Sequence, residues 1–198
     1  MLTRLPISSL KPHELALDRH VKELAQAIAA RRAVLRPLVV EARSLVVLDG
    51  SHRLRALRLI GASLAPVALV NYDSVTLKGW VRVYGLDALR DLINVTEVVR
   101  LRHTDRGSVI AWIGGSDEAY YDLLRLEGMG HELVKVATRA YAVREPSLLV
   151  IPPRPTKDLV LKAAYTGRLL PPRSTRHLTE AKFITMRTPL TSLKVELS

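Results

Sequence analysis

Cysteine is absent from this 198-residue chain, which excludes disulfides, thiolate nucleophiles and cysteine-held metals. Aromatic residues are scarce, 5% with a single phenylalanine, too few for the stacking platforms that grip single-stranded nucleic acid. No apolar run is long enough to cross a bilayer, and Met1 to Pro6 lacks the apolar stretch of a secretory signal. A cytoplasmic protein with no membrane partner is therefore expected. Acidic side chains are outnumbered, 19 against 30 lysines and arginines, for a formal charge of +11. That excess points to an anionic partner without choosing between nucleotide, nucleic acid and lipid headgroup. Familiar catalytic patterns are missing too: there is no Walker loop, no protein-kinase signature and no serine-hydrolase elbow. The six histidines never pair at metal-binding spacing.

What remains is a chain with 48% hydrophobic residues, enough for one large domain or two small ones. Its most informative segment is Leu48-Asp49-Gly50-Ser51-His52-Arg53, where the apolar run Ser44 to Leu48 meets a basic amphipathic stretch. Leu54, Ala56, Leu57 and Ile60 make one face of a helix that Gly61 stops. A helix opening at Ser51 exposes unpaired amides and a positive dipole end, a ready place for phosphate. Asp49 repels phosphate unless a divalent cation stands between them. The same residues also suit a plain capped helix, with Ser51 as the cap.

Around that segment the pattern predicts a strand from about Leu5 to Leu10, a turn at Lys11-Pro12-His13-Glu14, and a helix from Asp18, its cap, to about Arg32. Strands follow at Pro37 to Val40, Leu45 to Leu48 and Pro66 to Val70, which makes residues 1–75 a compact α/β unit. Residues 76–198 form a second, C-terminal α/β part. Helices are expected at Leu86 to Ile93 and Asp117 to Leu126, strands at Val98 to Arg102, Val109 to Ile113 and Leu148 to Ile151, and a helix at Thr156 to Gly167 capped by Thr156. Gly128-Met129-Gly130 follows a helix rather than a strand, so it is not a dinucleotide fingerprint. Leu170-Pro171-Pro172-Arg173-Ser174-Thr175-Arg176-His177 is a proline-stiffened loop presenting hydroxyls, guanidinium groups and an imidazole, able to take a carboxylate or phosphate or to stay a basic surface turn. A last strand is expected at Ala181 to Arg187. Glu14 and Asp49, carboxylates at the ends of neighbouring strands, could face one cleft, one taking a proton and the other a metal.

Strand, Lys-Pro-His-Glu, helix, two strands, Asp-Gly-Ser-His-Arg, helix and strand resemble the ParB/sulfiredoxin-like fold. With the third motif, Arg173-Ser174-Thr175-Arg176-His177, the chain most resembles the archaeal free-serine kinases of that superfamily. The resemblance implies a mixed-sheet α/β protein whose C-terminal part closes the site. It implies transfer of a phosphoryl group from ADP or ATP to L-serine with Mg²⁺, giving O-phosphoserine for cysteine biosynthesis. By the same resemblance Glu14 is the base, Asp49 holds metal and nucleotide, and Gly50, Ser51, His52 and Arg53 hold phosphates. Trp80, Arg173, Thr175 and His177 then bind serine. Ser51 replaces a frequent histidine and Arg173 a lysine, which leaves the donor open. The alternative is a ParB-like DNA-binding or nuclease protein. A nucleic-acid partner is not expected, because a partition protein continues into a helix-turn-helix domain where this chain runs into the polar loop. Sulfiredoxin chemistry fails for want of cysteine.

Overall fold

The computed structural model describes residues 1–140 and 146–194. The chain order is β1 (Leu2–Pro6), α1 (Asp18–Arg31), β2 (Ala33–Val34), β3 (Leu38–Glu41), β4 (Val47–Asp49), α2 (Ser51–Leu59), β5 (Leu64–Val70), β6 (Thr76–Gly79), β7 (Val81–Tyr84), α3 (Leu89–Val95), β8 (Val98–His103), β9 (Val109–Ile113), α4 (Glu118–Gly128), β10 (Lys135–Ala137), β11 (Leu148–Ile151), α5 (Lys157–Thr166), β12 (Thr175–Leu178) and β13 (Thr188–Pro189). It divides into two compact units: residues 1–76, 160–172 and from 177 on, and residues 77–159 with 173–176. The sequence alone separates residues 1–75 from 76–198; in the structure the tail returns to the first unit.

The first unit holds a four-stranded mixed sheet in the order β1-β5-β3-β4. β3 runs parallel to β5, while β1–β5 and β3–β4 are antiparallel. Val21, Ala25 and Ile28 of α1 and Leu54, Ala56 and Leu57 of α2 join Leu38, Val40, Val47 and Val67 in one core. In α1 the spacing of four and then three residues is what turns a single helical face inward. Leu38, Leu54 and Leu57 are almost completely enclosed, each contributing about 1.5–3 kcal/mol. The second unit is a five-stranded sheet, β10-β7-β11-β9-β8, with β9 and β11 parallel. Tyr84, Leu92, Ala111, Leu123, Leu126 and Leu148 form its core.

Three local expectations are corrected. The first strand covers Leu2–Pro6, not Leu5 to Leu10, and Ile7–Ser9 is a 3-10 turn in which the Ser9 hydroxyl donates to the Pro6 carbonyl at 2.7 Å. Asp18 does not cap α1: the cap is Leu17 with no side-chain bond, and Asp18, the first helical residue, pairs instead with Arg55 at 2.9 Å. Ala181 to Arg187 forms no strand; Glu180–Phe183 is a 3-10 turn opened by the Thr179 hydroxyl accepting from the Ala181 amide. Phe183 there is 84% exposed, the alternation of a strand without a sheet to join. α5 does carry its expected cap, since the Thr156 hydroxyl accepts from the Leu159 amide at 3.1 Å.

Candidate active site

The step from β4 into α2 turns on Gly50, the residue that caps the helix, in a left-handed conformation with φ +102°. Ser51 is the first helical residue rather than the cap, because the glycine turn opens the helix one residue earlier. A Cβ at Gly50 would lie 2.7 Å from Leu38 Cδ2 and 2.8 Å from Arg53 Nη2. Only glycine both takes this φ without strain and leaves room for the Arg53 guanidinium to fold back over the turn. Arg53 Nη2 donates to Asp49 Oδ2 at 2.8 Å, while its Nε is buried without a partner among the described residues.

Asp49 carries a second cation. Lys182 Nζ, on the 3-10 turn near the C-terminus, lies 2.9 Å from Oδ1. Burial alone would raise the Asp49 carboxyl, but Lys182 and then Arg53 outweigh it and hold the group below its ordinary value. It stays ionised, the state a metal requires. Among the described residues no three acidic or histidine side chains cluster around a metal site. One carboxylate beside a helix start fits Mg²⁺, which takes one or two carboxylates and completes its shell with phosphate and water.

Glu14 is positioned from both sides by backbone. The Val47 amide donates to the Lys11 carbonyl, the Leu170 amide to the His13 carbonyl and the Leu15 amide to the Leu170 carbonyl, all at 2.9 Å. Lys11-Pro12-His13-Glu14 is thus stitched between β4 and Leu170. The buried His13 ring donates Nδ1–H to the Val47 carbonyl at 2.8 Å, a carbonyl being able only to accept, and its Nε2 lies 3.6 Å from Glu14 Oε1. The His177 ring stands edge-on to His13, with centroids 5.3 Å apart, and its Nε2 is 2.9 Å from the Tyr72 hydroxyl. His177 is 1% exposed and its Nδ1 has no partner among the described residues. Burial first, then His13 and Lys182 against the opposing pull of Glu14 and Asp49, pushes His177 down to about 3, so the ring is neutral. The first unit therefore gathers Glu14, Asp49, Gly50, Ser51, Arg53 and His177. His52 Nε2 accepts from the Leu17 amide at 3.1 Å, which helps cap α1.

Trp80, Arg173 and Thr175 belong to the second unit. Trp80 Nε1 donates to the Thr175 carbonyl at 3.1 Å, and the Arg176 guanidinium lies 5.0 Å from its ring centroid. Arg173 takes a left-handed φ of 59°, and its carbonyl accepts from Arg82 at 3.3 Å. Ser174 and Thr175 are buried, so this stretch is a built segment rather than a solvated turn.

Sequence reasoning missed Lys182 and Tyr72. Lys182 sits 133 positions from Asp49 in a segment read as a strand, and Tyr72 meets His177 across 105 positions. Neither lies in a motif, and no local pattern marks such distant pairs. A narrow slot of about 170 Å³ beside Arg53 was equally hidden; Leu24, Ala27, Ile28, Val34, Arg31 and Arg36 help to line it.

No protein-family model matches the chain. It is 29% identical over 186 residues to a ParB-like protein of Sulfolobus acidocaldarius, covering 85% of this chain and 86% of that protein. An ATP-dependent L-serine kinase of Staphylothermus marinus is 24% identical over a 229-residue alignment, covering 96% and 90%. Among solved structures, C-terminally truncated SbnI of Staphylococcus aureus superposes with a TM-score of 0.81 at 16% identity, over 100% of this chain and 90% of that one. A free serine kinase mutant in complex with ADP gives 0.71 at 14% identity, over 97% and 93%. The chain has the mixed α/β fold that the free serine kinases share with ParB-like proteins.

Proposed function

We propose that this protein is a kinase that transfers a phosphoryl group from ADP or ATP to the hydroxyl of free L-serine. The observation that carries the reading is a buried-edge carboxylate pair with divided labour: Asp49 is tied up by two cations at a helix start, and Glu14 is set against a histidine. The exposed amides of α2 and the Arg53 guanidinium receive the donor's phosphates, and the slot walled by Leu24, Ala27 and Ile28 suits a flat base edged by arginine. Asp49 would hold Mg²⁺, which neutralises phosphate charge when bound. Glu14 takes the proton as the serine oxygen bonds to phosphorus; the bridging P–O bond breaks and its electron pair leaves with the nucleotide. His13, locked by the Val47 carbonyl, keeps Glu14 aimed. By the resemblance, the amino acid's polar groups are assigned to Arg173, Thr175, Trp80 and His177. Similarity to an ATP-dependent L-serine kinase and to a free serine kinase in complex with ADP supports the class of reaction, and the product, O-phosphoserine, fits a place in cysteine biosynthesis.

The test is purified protein with Mg²⁺, L-serine and either nucleotide, scored for O-phosphoserine. Product is expected, and AMP or ADP as coproduct names the donor. Product with neither nucleotide refutes the kinase, and steeply salt-dependent binding to duplex DNA would then favour the ParB-like alternative.

A further inference from the structure

Both oxygens of Asp49 are occupied by side-chain cations. Arg53 holds Oδ2 at 2.8 Å and Lys182 holds Oδ1 at 2.9 Å. Each oxygen keeps a second lone pair, but a divalent cation bound there would stand beside two full positive charges; its arrival favours release of one of them, and the two are not equally held. Arg53 is 17% exposed, lies within α2 and is packed over Gly50. Lys182 is 28% exposed, at the end of a flexible four-carbon stem on a short 3-10 turn. Lysine is the one that leaves. Its charge is also felt at His177, as are those of Glu14 and Asp49, so the ammonium stands among the same groups that the reaction uses.

Resting on the kinase reading, we propose that Lys182 is a catalytic cation: its ammonium holds Asp49 in the empty protein and passes to the nucleotide's phosphate oxygens when a divalent cation takes its place on the carboxylate. The exchange keeps Asp49 neutralised at every stage, so no bare carboxylate ever faces the phosphates. It also delivers a mobile positive charge to the phosphoryl group, where the transition state needs it. Lys182 thus acts in the step as a donor of hydrogen bonds and charge, and it neither gains nor loses a proton.

Two titrations separate this role from a structural one. Mn²⁺ binding without nucleotide, followed by electron paramagnetic resonance, removes the reaction from the readout. Lys182→Met is expected to bind Mn²⁺ about fivefold more tightly than the wild type, the worth of a partly exposed ion pair, while turnover with serine falls about 10²–10³-fold. Lys182→Arg keeps the charge and should bind Mn²⁺ much as the wild type does, which also guards against a fold defect in the methionine variant. Unchanged or weaker Mn²⁺ binding in Lys182→Met, or near-normal turnover, overturns the proposal. Failure of the wild type to make O-phosphoserine would overturn the kinase reading instead, since the Mn²⁺ titration, made without nucleotide, still reports on Lys182 alone.

Discussion

Two arginine–carboxylate pairs, one in each unit, use the same chemistry for different ends. In the second unit Arg82 is fully buried, paired with Glu127 and donating to the Tyr84 hydroxyl at 2.8 Å. In the first, the Arg53–Asp49 pair sits at a helix start, with Asp49 32% exposed and a lysine on its other oxygen. Enclosure holds Arg82 against Glu127, the Tyr84 hydroxyl and the Arg173 carbonyl. At Asp49 the carboxylate is partly exposed, its second cation comes from a separate 3-10 turn, and a glycine turn opens a helix beside it. A charged pair becomes a site when its partners can be replaced from outside; sealed inside, it only fixes the packing around it.

The comparison can be broken most forcefully at Arg82. Arg82→Met should cost about 3 kcal/mol, because Glu127, only 18% exposed, is left without its cation. Urea denaturation reads the loss, and removing both partners together should recover most of it. A change under about 1 kcal/mol would mean that the pair is not structural. Asp49→Asn should behave in the opposite way: stability shifts by less than about 1 kcal/mol, whereas Mg²⁺-dependent nucleotide binding weakens about tenfold, or 1.4 kcal/mol. Unchanged magnesium dependence in calorimetry would remove Asp49 as the metal holder. A subtler effect comes from His177. Its folded pKa is depressed to about 3 from an ordinary 6.5, so the unfolded chain binds the extra proton first as the pH falls. Stability is complete above pH 6.5 and declines from there toward pH 3, by about 2 kcal/mol at pH 5. Denaturation midpoints at pH 7 and 5 should show this loss in the wild type and not in His177→Gln.

Much of the first unit was legible because its signals are local. Val21, Ala25 and Ile28 repeat at helical spacing, branched residues fill β3 to β5, and Gly50 and Gly61 bracket α2, so each element shows itself within a few positions. The opening strand stops early because a proline and a serine turn compete with the ladder over just three residues. β6 and β7 escaped notice although Leu77, Val81 and Val83 alternate with Lys78 and Arg82: such a run reads as a half-exposed strand, whereas Arg82 is buried against Tyr84 and against Glu127, 45 positions away. The motifs Lys11 to Glu14 and Asp49 to Arg53 could be paired as strand-end carboxylates and given definite roles through resemblance; their joining through Val47 and Leu170 is a matter of backbone bonds that no spacing encodes. Lys182 is the clearest case, a lysine in an unremarkable segment that the fold carries onto Asp49.

The most direct test of the central claim is the turnover of Glu14→Gln at saturating serine, with its affinity for ADP measured on the same sample. Glutamine keeps the shape of the side chain but cannot take a proton. A fall in kcat of about 10²–10⁴-fold with nucleotide affinity unchanged is the predicted result, and near-normal turnover would contradict it.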